Sequence, residues 1–388
     1  MADSATSQFN QGSSGFVLAS GGYDFTIRLW QVSNGACAKV CQHPESHVNA
    51  LAITPDRRTI ASAGYQGIRL YDVVGTGQTP TNRFDRLPKN VTCVGFNKSG
   101  QWMYSGGEDG FARIFDLRIR PGTASGGQCC LNVERPVMSM ALHPTRPEIF
   151  VGVQTGSIHS MDLRSLWNEE WSIGDGSTEV AILSLSPHPS GKLLAAATSG
   201  GKIYLYTVDE PQNSPPQSSR DIVVPSNSTQ PPTQGSVSQL SGRPIEIRAH
   251  RRHVLKCAFS PDGKFLATVS ADKTAKIWRV WTTPQISVDD GQNNDSTVQI
   301  GAKHVCDLPH PAPHMWIWDC AWSADSQHIF TACADNVVRL WTLPPEVTCG
   351  KSSPTEGEPS NNSIPKATIA LEYHGHSKPV IALAYSDH

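Results

Sequence analysis

The 388-residue chain carries 32 Lys and Arg against 34 Asp and Glu, and its formal net charge is −2. So even a balance leaves no basic footprint for nucleic acid or an anionic bilayer, and no apolar run reaches the length of a membrane-spanning helix. The opening residues MADSATSQFNQGSSG lack the apolar core of a secretion signal, so a cytoplasmic location and a disordered tail over 1–15 are expected.

Residues 16–41 read as the second, third and fourth strands of a four-stranded unit with no first strand. Complete units follow at 48–72, 91–116, 137–162 and 180–206. Their leading valines, Val48, Val91, Val137 and Val180, recur every 43–46 residues. The clearest unit is 249–279, AHRRHVLKCAFSPDGKFLATVSADKTAKIWR. Its three short apolar runs are rich in β-branched and aromatic residues. They are separated by Ser260-Pro261-Asp262-Gly263 and Ala271-Asp272-Lys273, which predicts strands joined by tight reversals. The next unit is IWDCAWSADSQHIFTACADNVVRLW at 317–341, and the chain ends on GHSKPVIALAYSDH, a first strand with nothing after it. A period of about 40–45 residues with four strands each is the pattern of a β-propeller blade. The two incomplete ends complement each other. The expected fold is therefore an all-β, seven-bladed propeller over 16–388, closed by pairing of strand 379–385 with the N-terminal strands, which removes the open sheet edges.

Three units are stretched, by segments at about 209–244, 282–303 and 344–365. The first is rich in Pro, Ser and Gln and cannot pack a core. All three fall between third and fourth strands, so they share one face, the bottom. The opposite, top face is left short and open for a partner.

Of the ten cysteines, Cys93, Cys257, Cys320 and Cys333 sit in predicted strands, where a thiol acts as a small core hydrophobe. Cys129 and Cys130 are adjacent and no C-x-x-C pair exists, which argues against redox or zinc chemistry. His304, Cys306, His310 and His314 cluster among prolines but match no common zinc spacing. No metal or cofactor is expected, and no Walker-type phosphate loop is present.

A turn Asp and a Trp six residues later recur as Asp24/Trp30, Asp272/Trp278 and Asp335/Trp341. A hydroxyl stands four residues before each Asp, at Ser20, Thr268 and Thr331. These segments resemble WD-repeat ends. The resemblance implies a buried His–Ser/Thr–Asp–Trp network in which His250 and His376 supply imidazoles. A hydrolase triad needs one unique, solvent-reached nucleophile, whereas this constellation repeats and suits structural wiring. Tyr71 and Phe115 replace the Trp in the second and third blades, and the fourth and fifth keep neither Asp nor Trp.

Two positions near the start of each first strand look into the top of the channel. From blade one to seven they read Pro379, His47, Asn90, Pro136, Glu179, His253, Trp316 and Ile381, Asn49, Thr92, Met138, Ala181, Leu255, Trp318. Tyr23 and Tyr65 point upward before the turns of blades one and two. Trp316, Trp318, Tyr23, Ile381, Tyr65, His47 and Asn49 thus fall on one arc over blades seven, one and two, the composition of a protein-binding hot spot. Trp322 alternates with them and is expected between blades.

The runs VNALAITPDR, AGYQGIRLYD, WMYSGGEDGFARIFDLR, MWIWDCAWSADSQHIFTACADNVVRLW and GHSKPVIALAY resemble the G-protein-β-like subunits of the target of rapamycin (TOR) kinase complexes, the "lethal with SEC thirteen" family. The resemblance implies a non-catalytic scaffold on the carboxy-terminal lobe of a TOR-type serine/threonine kinase. Such a subunit stabilises the kinase and shapes substrate access, in the cytoplasm or at endomembranes through the complex. It further implies kinase contacts at His47, Asn49, Trp316 and Trp318, with His47 standing where the family usually carries Gln. No nucleic acid, membrane insertion or small-molecule substrate is expected. The alternative from the residues alone is a substrate-recognition propeller, such as a ubiquitin-ligase adaptor or a peptide-binding hub.

Overall fold

A computed structural model describes residues 17–119, 129–165, 168–173, 180–209, 238–284, 298–348 and 364–386. The tail expected over 1–15 and the interiors of the three long connections lie outside the described residues. Within them the chain forms seven four-stranded antiparallel sheets in sequence order, one per blade. Blade one is the exception in connectivity: its innermost strand is Val380–Ser386, which pairs with Val17–Gly22 in the register Leu18 to Tyr385 and Ser20 to Leu383. This strand lies between the first strands of blades seven and two, Ile317–Trp322 and Ala50–Ile53, so the ring is sealed by its own two ends.

The tight turns follow from local chemistry. In blade six, the Phe265 N–H donates to Ser260 Oγ (2.9 Å), the Lys264 N–H donates to Asp262 Oδ1 (3.1 Å), and Gly263 takes φ 74°. Thr54 and Asp56 build the same turn in blade two and Ser323 and Asp325 in blade seven, with Arg57 and Ser326 in the left-handed region. A hydroxyl and an Asp two residues on hold the loop without a glycine.

Blades two, four and five pack on the preceding blade through an apolar residue at or just before the first strand. Val48 sits over Gly21, Val137 over Gly106 and Ile182 over Gly152; a Cβ on any of these glycines would lie 2.4–2.6 Å from a methyl of that residue. This contact corrects the sequence register in blade five. Val180 was expected to lead the strand, but Ile182 occupies the equivalent place and the strand runs Ile182–Pro187. The segment VAILSL alternates so evenly that both residues satisfy the pattern, and only the packing against Gly152 separates them.

The stretched connections also differ from expectation. The fourth strand of blade five begins at Gln239, and in blade six the third strand runs to Pro284 while the fourth starts at Val298. Residues 239–244, 282–284 and 298–303 therefore lie in strands. Trp281 packs over Gly301 in this lengthened hairpin, an aromatic-on-glycine contact that spacing alone does not reveal. In blade seven a four-residue helix, Pro345–Thr348, precedes the strand Thr368–Tyr373.

The polar network takes two forms. In blade one, Ser20 Oγ bonds His376 Nε2 (2.7 Å), His376 Nδ1–H donates to Asp24 Oδ2 (2.8 Å), and Trp30 Nε1–H donates to Ser20 Oγ (2.7 Å). Blade six repeats it through His250, Thr268, Asp272 and Trp278, at 2.9–3.2 Å. Blade seven does not. Trp341 Nε1–H still reaches Thr331 Oγ1 (2.9 Å), and His310 Nε2 lies 3.2 Å from the same hydroxyl. Asp335, however, pairs with Arg339 (2.7 Å), and His310 Nδ1 is buried with no partner among the described residues. In blade two His43 joins Ser62 and Tyr71 at 3.2 Å, with the phenol replacing the indole.

These networks set a pH limit. Burial pushes His43 down to about 3, aided by the Arg69 charge, and burial likewise holds His310 at about 3 and His143 at about 4. Such groups are neutral in the fold, while the unfolded chain binds protons near the usual 6.5, so stability falls as pH drops from about 6.5 toward 3. Burial alone would raise Asp24, but His376, Thr26 and the Ser377 N–H hold it at about 2, so its contribution is lost only at lower pH.

Two outcomes are expected. Ser20→Ala removes the hydroxyl that accepts from Trp30 and bonds His376 and should cost about 2 kcal/mol, read by denaturant unfolding. The melting temperature should fall steadily between about pH 7 and pH 5, where one such histidine costs about 2 kcal/mol, and His43→Gln should make that slope shallower.

Candidate protein-binding face

The inner strands bulge where they meet the top of the channel. Pairing with the second strand slips by one residue at Thr92, Met138, Leu183, Leu255, Trp318 and Ile381. A bulge twists the strand and re-aims the extra side chain. All six bulged residues are half-buried, as expected for groups on a channel wall. In blade five the bulged residue is Leu183, not Ala181, which follows from the register correction above; Glu179 lies outside the described residues.

In blade seven the bulge delivers Trp318. The next residue, Asp319, is buried and locks it: its Oδ1 accepts the Cys320 N–H (2.8 Å), its Oδ2 accepts the Leu383 N–H of blade one (2.8 Å), and Lys256 of blade six approaches to 3.5 Å. The Asp319 charge raises the Lys256 pKa. Trp316 packs on Trp318 with ring centroids 5.2 Å apart. Tyr23 meets Trp318 edge-on at 6.5 Å and lies 5.0 Å from His47. Four rings from blades seven, one and two thus form one continuous chain. Its placement is backbone-driven: the Tyr23 N–H donates to Pro379 O (3.0 Å), and the Val48 N–H to Gly22 O (3.3 Å).

Exposure along this chain is uneven. Trp316 and Tyr23 are 37% and 36% exposed, whereas Trp318 and His47 are half-buried beneath them. The two outer rings offer contact area and the two inner ones hold them in place. Trp322 is buried, its indole N–H donating to Ala258 O (2.9 Å).

The other three arc residues stand apart from the ring chain. Tyr65 is 55% exposed but has no ring neighbour among the described aromatic pairs, its backbone N–H being held by Ser46 Oγ (2.6 Å). Asn49 spends its amide N–H on Val91 O of blade three (3.0 Å). Ile381 is the half-buried bulge residue of blade one. Sequence reasoning missed Phe25 and Met315, both exposed on the same face. Phe25 follows the turn Asp, takes φ 60°, and lies beneath the Lys378 ammonium at 5.6 Å. Its position directly after Asp24 was a usable signal, since that residue of the turn points outward.

The histidines and cysteine set aside as unlikely zinc ligands are dispersed. The His304 ring lies tilted against Trp278 (5.0 Å) and pairs with Asp307 (3.0 Å), Cys306 is buried, and His310 serves the blade-seven network. Burial pushes the thiols of Cys257 up to about 11 and Cys333 up to about 12, far from the range of a reactive thiolate.

Residues 5–31, 35–72, 81–116, 243–279 and 306–342 match the family described as WD domain, G-beta repeat. The fourth and fifth blades, which lack the turn Asp and the Trp, fall outside those matches apart from the final strand of the fifth. Among individual proteins, the chain is 41% identical over 279 residues to the Target of rapamycin complex subunit LST8 of Bos taurus, covering 71% of this chain and 76% of that protein. The Mus musculus protein of the same name is 40% identical, with 69% and 74% covered. Target of rapamycin complex subunit LST8-1 of Arabidopsis thaliana is 33% identical, with 68% and 77% covered.

Proposed function

The chain belongs to the LST8 family of target of rapamycin complex subunits, and on that premise we propose that it is a non-catalytic scaffold that binds a TOR-type serine/threonine kinase through the top face of blades seven, one and two. The observation that carries this reading is the ring chain Trp316–Trp318–Tyr23–His47. Clustered, partly exposed aromatics with a rigid base supply large contact area at small rotamer cost, the usual make-up of a binding hot spot. The long third-to-fourth-strand connections leave from the other end of every sheet, so nothing of theirs begins on this face. A subunit that binds only the folded kinase lobe stabilises it by mass action and restricts its motion near the substrate path. The expected location is the cytoplasm, where the kinase complexes would recruit it.

The Trp316→Ala/Trp318→Ala double variant should lose at least tenfold in kinase affinity, about 1.4 kcal/mol or more, while its melting temperature stays within a few degrees. Tyr65→Ala, which lies outside the ring chain, should change affinity by less than about twofold. Co-purification and biolayer interferometry against the purified kinase decide it. Full affinity in the double variant overturns the assignment of the face.

A further inference from the structure

Beside Trp316 the top face sinks into an open depression of about 460 Å³, lined by Gly200, Arg251, Arg252, His253, Ala271 and Trp316. It lies between blades five, six and seven, next to the ring chain and sharing one residue with it. Both arginines are exposed, and neither guanidinium has a carboxylate partner among the described residues. The buried arginines Arg69, Arg113 and Arg339, by contrast, pair with Glu45, Asp109 and Asp335.

The nearby acid is already used. Asp272 Oδ1 accepts from Thr274 N–H (3.0 Å) and Thr274 Oγ1–H (2.6 Å), Oδ2 accepts from the backbone N–H of Arg251 (2.9 Å), and His250 faces both oxygens. The network thus holds the Arg251 backbone and leaves its side chain uncompensated. His253 donates through Nδ1 to Ser199 O, which turns its Nε2 away from that contact. The result is a concave site lined by two arginines that lack a carboxylate partner among the described residues and by a tryptophan.

From this we propose that the depression receives an acidic segment of the partner that docks on Trp316: one or two Asp or Glu side chains on Arg251 and Arg252, with a neighbouring apolar side chain on the indole. Planar guanidinium matches carboxylate in two-point geometry, and docking would shield the pair from water. Such charges set association rate and salt dependence more than area does. This subsite rests on the ring chain being the docking face, and the experiment separates the two.

Kinase affinity is measured for the full chain, the Arg251→Glu/Arg252→Glu, Arg251→Ala/Arg252→Ala and Trp316→Ala/Trp318→Ala variants, from about 50 to 300 mM salt. Charge reversal should weaken binding at least tenfold at low salt, and the alanine pair should flatten the salt dependence. If both arginine variants bind within twofold of the parent and keep its salt slope while the tryptophan variant fails, the subsite is overturned and the docking face stands. If the tryptophan variant binds normally, the docking face falls. A second arm then decides the subsite without the kinase. Arginine guanidinium resonances of the full chain, assigned with Arg251→Lys and Arg252→Lys, are followed during titration with acetyl-Glu-Asp-Phe-amide and with acetyl-Gln-Asn-Phe-amide. Movement of both resonances with the acidic peptide alone supports the proposal; no movement, or equal movement with both peptides, overturns it.

Discussion

The pairing of Val380–Ser386 with Val17–Gly22 is the contact on which the remaining structure depends. An open arc of blades would expose sheet edges and apolar flanks at each end. Closure instead buries Leu18 and Trp30 of blade one against Phe330, Val338 and Tyr373 of blade seven. The same few residues do more than close the ring. His376, just before the closing strand, completes the blade-one network. Pro379 accepts the Tyr23 N–H, and Leu383 gives its N–H to Asp319. The aromatic chain therefore straddles the seam: Trp316 and Trp318 come from one side of it, Tyr23 and His47 from the other.

Much of this was legible in the sequence because propeller blades obey a strict period. The blade count, the split first blade and the side of the ring facing away from the long connections all follow from spacing and strand order. Three features did not. The blade-five register needed the fit of Ile182 over Gly152, since alternation alone allows Val180 as well. The lengthened hairpin of blade six needed the stacking of Trp281 on Gly301, a tertiary contact. His310 was hidden among prolines and histidines that looked like failed metal ligands, when its partner was a threonine more than twenty residues away.

The polar wiring shows how the repeat tolerates variation. Blades one and six spend the turn Asp on a histidine. Blades three and seven spend it on an arginine four residues on, Asp109 with Arg113 and Asp335 with Arg339. Each choice satisfies the carboxylate in a different way, and the blade-seven choice leaves a histidine nitrogen over. A buried charge pair and a buried neutral histidine respond differently to acid. Acid sensitivity is thus concentrated in particular blades, and the seam blade carries both a depressed Asp24 and the closing contact.

Fold and candidate function meet at the bulge. Six first strands slip by one residue at the same level, and the backbone there is set by the strand before and the strand beside it. The bulged side chain itself carries little of the ladder, so its identity is free to vary: Thr92, Met138, Leu183, Leu255, Trp318 and Ile381 all occupy it. A position whose geometry is fixed by the repeat but whose chemistry is not is where a propeller can acquire a binding surface at little cost to folding. Only in blade seven is that position a tryptophan, only there does an adjacent carboxylate tie it to both neighbouring blades, and Trp316, the next ring outward, lines the same depression as Arg251 and Arg252. The face proposed for docking thus draws on residues the fold positions but does not require.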